Sequence, residues 1–187
     1  MVRLIAAVVV AAAVAGVAFQ TLVRADSRAP TPPPALTARA VAYLPSHASA
    51  LTAHDLAADA PVNSLPATLA RLGFVVGGQR TFQGPSKAYL QLVISRSLRF
   101  SSAAGARGFV RFVGQYAGQY VGEVPTVTPL TSKGRSGELI VAPLCACHMA
   151  QPALLAVVSS GPVVTWLEIN GPGATPKVLA SLLRQAP

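Results

Sequence analysis

At 187 residues, the chain has room for one domain with a leader or tail, and 52% hydrophobic residues are enough to build a core. The 15 basic residues outnumber 6 acidic ones, for a formal net charge of +9. The cations are nevertheless scattered singly, without a basic run or interleaved aromatics, which argues against a nucleic-acid partner. So few carboxylates, on separate segments, also leave no paired-carboxylate hydrolytic site.

The chain opens with Arg3, followed by an unbroken apolar run at residues 4–19 and no further charge until Arg24. A basic tip before such a run is an export signal or a membrane anchor. About 20 uncharged residues at ~1.5 Å rise span roughly 30 Å, the thickness of a bilayer's hydrocarbon core, which suits an anchor. Val23-Arg24-Ala25 also suits a signal peptidase cutting after Ala25, so residues 1–25 are read as a signal peptide or an N-terminal anchor. Either way the remainder is expected outside the cytoplasm, secreted or held at the cell membrane.

Residues 26–63 form a Pro/Ala-rich spacer and irregular segment. The run at 26–34 favours extended polyproline II and acts as a stalk, and residues 51–56 predict no more than a helical turn. The folded unit is expected at residues 64–187. Ser64 suits an N-cap, Pro66 a first helical turn and Gly73 a C′ position, with Leu65, Leu69 and Leu72 on one stripe between them. Residues 74–82 predict a strand, loosened at Gly77-Gly78.

The clearest alternation runs through residues 88–100. Leu90, Leu92, Ile94, Leu98 and Phe100 share one face with Arg96, which alone breaks its apolar character. Gln91, Ser95, Ser97 and Arg99 share the other, which predicts a sheet covered on one side and wet on the other. Ser101-Ser102 then cap an amphipathic helix bearing Phe109, Val110, Val113 and Tyr120 on its apolar side. Gly105, Gly108, Gly114 and Gly118 weaken it, by about 1 kcal/mol each relative to alanine.

Residues 124–130 predict an edge strand, because Pro125 and Pro129 cannot donate to a ladder. A flexible loop is expected at 131–137, strands at 138–147, 153–159 and 162–169, and a closing helix capped by Thr175 with Pro176 at its first position. The order predicts an α+β fold: a mainly antiparallel sheet of five or six strands with two or three packed helices.

Most chemical motifs fail on spacing. In Gly84-Pro85-Ser86-Lys87 the lysine follows the serine and proline removes an amide donor, so no phosphate loop forms. His54-Asp55, adjacent in sequence, suits helix capping better than a hydrolytic triad. No catalytic residue and no cofactor are expected. Cys145-Ala146-Cys147-His148 is the one constellation with chemical specificity. It offers two thiolates and an imidazole to copper(I) or zinc, without the usual second ligand pair. An oxidising exterior would favour a Cys145–Cys147 disulfide instead, although Cα atoms two apart in a strand sit at the limit of bridge geometry.

Leu72-Gly73-Phe74, Gly77-Gly78-Gln79-Arg80-Thr81-Phe82 and residues 100–109 carry a family resemblance. From about residue 69 onward the chain resembles exported α+β proteins of high-GC Gram-positive bacteria. Its element order is similar to that of PsbP/Mog1-like modules. The resemblance implies an accessory or binding module and transfers no site residues. The expectation is a non-catalytic envelope domain, membrane-associated if the N-terminal helix is uncleaved. Its partner would be an envelope component or a small apolar ligand, held between the long helix and the sheet near Tyr116, Tyr120 and Trp166. The alternative is an exported metal-binding or redox protein using Cys145, Cys147 and His148.

Overall fold

The computed structural model describes residues 31, 49–58, 62–85, 88–143 and 151–187. The leader, the spacer apart from Thr31, Ser86-Lys87 and the Cys145, Cys147 and His148 cluster lie outside the described residues, together with the disulfide and metal readings attached to that cluster. Among the described residues, no helix is long and apolar enough to cross a membrane.

The described chain forms seven strands and five helices: β1 (Ser49–Leu51), α1 (Ala53–Ala58), α2 (Leu65–Leu72), β2 (Phe74–Gln83), β3 (Leu92–Phe100), α3 (Ala103–Gln115), α4 (Ala117–Tyr120), β4 (Thr126–Ser132), β5 (Arg135–Ala142), β6 (Ala153–Ser160), β7 (Val163–Asn170) and α5 (Pro176–Gln185). The strands make one sheet in the order β1-β2-β3-β7-β6-β5-β4, with every neighbouring pair antiparallel. The fold is thus α+β, with more strands than the sequence suggests. One added strand is β1, from the segment expected to be irregular; Leu51 is buried against the core and Ser49–Leu51 pairs with β2.

Local signals set most element ends. The Ser102 hydroxyl accepts the Gly105 N–H at 3.0 Å to start α3, and the Thr175 hydroxyl accepts the Val178 N–H at 3.3 Å to start α5. Gly73, at φ 71°, ends α2 in the left-handed conformation that glycine adopts without strain. Ser64 precedes α2 but makes no side-chain cap bond. The expected loop at 131–137 is instead a tight hairpin: β4 and β5 pair up to Ser132↔Arg135, leaving Lys133 and Gly134 at positive φ to turn the chain.

The chain builds β1–β3 first. It then crosses over through α3 and α4 to the far edge, and returns by hairpins until β7 pairs with β3. Two cores result. On one face α2 and α3 cover Leu98, Phe100, Ile140, Leu155, Val157 and Trp166. On the other, α5 covers Val93, Leu154, Ala156, Val158, Leu167 and Ile169. β3 is an inner strand, and the face expected to be wet is buried: Ser95 and Ser97 are 1% and 5% exposed.

Candidate functional site

The register explains why a polar site forms on a face that is otherwise apolar. Across the central strands, Gln79 of β2 pairs with Arg96 of β3, Arg96 with Trp166 of β7, and Trp166 with Val157 of β6. The next row in the same orientation joins Thr81, Ile94, Glu168 and Leu155. Side chains two apart on a strand share a face, so both rows lie on the α3 side of the sheet. At the end of these rows the helical layer continues into α4, whose Gln119 and Tyr120 form one wall. Gln79, Ile94, Arg96, Gln119, Tyr120, Trp166 and Glu168 together enclose a recess of about 310 Å³.

Arg96 is 9% exposed and needs compensation for leaving water. Its Nε–H donates to Gln79 Oε1, and its guanidinium carbon lies 5.4 Å from the Trp166 ring centroid, a cation–π contact. The guanidinium also faces Glu168 and Tyr120. Both groups are desolvated, and Arg96 partly offsets that effect in each. The Glu168 side chain is still reached by solvent through the recess, yet protein surrounds it, and this burial raises its carboxyl above the ordinary range. Burial likewise pushes the Tyr120 phenol well above its usual value.

Two donors in this recess stand out. Tyr120 Oη and Trp166 Nε1 are buried and find no hydrogen-bond partner. The indole N–H lies near enough to Glu168 to favour its ionised form, but not in hydrogen-bonding geometry. An unmet buried donor costs about 1–3 kcal/mol, and this recess is lined by two residues that carry one.

Of the three aromatic residues expected to line a pocket, the structure brings two together. The Tyr120 and Trp166 rings meet edge to face, 5.2 Å apart. Tyr116 does not join them. Its ring packs, tilted by 45°, at 4.8 Å from Phe112, ending a run of aromatic contacts through Phe109, Phe100 and Phe74. The lining is mixed rather than apolar, because the register adds Gln79, Arg96 and Glu168. Arg96 did signal itself in sequence, as the one charge on an apolar strand face. Gln79 and Glu168 carried no such mark.

A second, smaller recess of about 190 Å³ lies on the same face between α3 and β5, lined by Arg107, Val110, Arg111, Ser136, Gly137, Glu138 and Ser159. Glu138 Oε2 is buried there without a hydrogen-bond partner, and desolvation raises its carboxyl against the opposing pull of Arg111. Asp55 has a local role. Its Oδ2 accepts the Thr52 backbone N–H and the Thr52 hydroxyl, both at 2.7 Å, while its own N–H donates to Thr52 Oγ1. This reciprocal cap at the start of α1 holds the Asp55 carboxyl below its usual range and commits it to the helix rather than to His54. Among the described residues, no group of three or more His, Cys, Asp or Glu side chains is placed to hold a metal.

No known protein family matches the chain, and no curated protein does. Among solved structures, its fold is similar to that of the extracellular domain of PknH from Mycobacterium tuberculosis. The TM-score is 0.51 and the identity 12%, over 76% of this chain and 81% of that one. At that identity the likeness is one of fold alone.

Proposed function

We propose that the chain is an exported, non-catalytic accessory domain of the cell envelope, tethered or secreted, that binds a small molecule in the recess between α4 and the β3–β7 pair. The observation that carries this reading is the pair of buried donors without partners, Trp166 Nε1 and Tyr120 Oη, in a recess floored by Arg96. Ligand sites combine a concave surface with a few converging polar groups, and this recess has that composition. Export is supported by the basic-then-apolar leader, and by fold likeness to a domain that works outside the cell.

Two experiments test the reading. Screening a panel of small polar and apolar molecules by tryptophan fluorescence and thermal shift should yield a saturable binder, whose effect Trp166→Phe and Tyr120→Phe weaken in the thermal assay. A panel that leaves both signals unmoved rejects the binding role. Fusing an export-dependent reporter after Pro187 should give activity in intact cells; a fusion that is expressed at full length but inactive rejects the envelope assignment.

A further inference from the structure

We propose that the recess between α4 and the β3–β7 pair captures a small carboxylate, held by the Trp166 and Tyr120 donors beside the Arg96 guanidinium, with one proton taken up at Glu168 as it binds. The inference rests on the reading of this recess as a binding site and names its ligand class.

Donors set the class. Trp166 is 2% exposed, and its N–H, like the Tyr120 hydroxyl, is buried without an acceptor. A guanidinium stays charged at any physiological pH, and it stands in the same wall. Two unmet donors next to a fixed cation call for an anionic oxygen, and a carboxylate offers two such atoms in one plane. Arg96 lies over the indole and Tyr120 meets it edge to face, so the ring is not left open as a stacking platform. A volume of about 310 Å³ sets the size at a few carbons beyond the carboxylate.

Glu168 supplies the proton linkage. An ionised Glu168 would repel an incoming anion inside the same recess, whereas a protonated one donates a further hydrogen bond. The charged and titratable groups facing it are Arg96 from β3 and the Tyr120 phenol from α4. The first stays cationic and the second, raised by burial, keeps its proton, while Leu155 and Val157 of β6 present no charge. Glu168 is therefore the group that changes state. Its desolvated setting already favours the proton, and a bound anion favours it further. Uptake of one proton strengthens binding by up to about tenfold for each unit of falling pH.

Trp166 is the one tryptophan of the chain, so its fluorescence reports on this recess. The full chain is titrated with propionate and benzoate, and with propionamide and benzamide, at pH 5 and pH 8. The expected result is saturable binding of the acids, at least tenfold tighter at pH 5, with the amides at least tenfold weaker. Glu168→Gln, close to isosteric, should bind the acids equally at both pH values. Tyr120→Phe should weaken them several-fold, with circular dichroism confirming the fold of each variant. Acid binding that ignores pH, amides that bind as tightly as acids, or silence toward both sets would overturn the inference. The binding reading itself falls only if the broader panel is also silent, so the two failures are distinguishable.

Discussion

Gly105 and Gly118 show how far single residues escape sequence reasoning. Both are helical glycines, and alanine is the better helix former by about 1 kcal/mol. A Cβ on Gly105 would run into the backbone carbonyl of Leu72, where α2 ends against α3, while a Cβ on Gly118 would meet only ordinary contacts with Pro125. Gly105→Ala should therefore destabilise the protein and Gly118→Ala should be neutral or stabilising by up to about 1 kcal/mol, as read by urea unfolding. Equal effects at the two positions would show that the α2–α3 approach is not the constraint. Arg96 behaves differently again. Replacing it with methionine strands the Gln79 acceptor and leaves Glu168 without its facing cation, at a cost of about 1–3 kcal/mol on chemical denaturation.

At the scale of elements, α5 is held by more than its apolar stripe. Arg135, 8% exposed at the start of β5, reaches across to the helix C-terminus. Its Nη2 donates to the Leu183 and Ala186 carbonyls at 3.0 and 3.2 Å, and its Nη1 to the Pro187 main-chain oxygen at 3.1 Å. A cation there satisfies carbonyls that a helix end leaves unpaired and complements its negative dipole. Arg135→Gln should cost about 1.5–3 kcal/mol, with hydrogen exchange accelerated first in α5. Protection in α5 that survives the substitution would assign its docking to Leu179, Leu182 and Leu183 alone. The helix itself was legible in sequence, since Thr175, Pro176 and the leucine spacing are local. The burial of Ser95 and Ser97 on the same side of the sheet was not, because a strand's alternation reads the same whether its polar face meets water or protein.

For the whole molecule, pH dependence follows from the carboxylates on the α3 face. Burial raises the Glu168 carboxyl, so the folded state keeps that proton at pH values where the unfolded chain has released it. The folded state then binds more protons, and its stability falls as pH rises from the ordinary carboxylate range through the raised value. Glu138 contributes with the same sign, from a less enclosed setting. Glu168→Gln should gain stability relative to the parent chain as pH rises from 4 to 8, measured as the difference between their melting temperatures. A difference that is flat or shrinks with pH would contradict a desolvated Glu168.

The α+β class, the two capped helices, the edge position of β4 and the anomaly at Arg96 all follow from short-range chemistry: side-chain periodicity, capping hydroxyls, and prolines that cannot donate. The candidate site does not. Arg96 meets Trp166 because β7, after the crossover through α3 and α4 and three returning hairpins, pairs with β3 in one register among several. A slip of one residue would turn Trp166 and Glu168 to the α5 face. That register is chosen by the fit of both cores at once, a long-range property no local window contains. The same folding brought Gln79 alongside Arg96 and left Tyr116 in the run of aromatic contacts, so the recess became polar where its aromatic residues alone implied an apolar one.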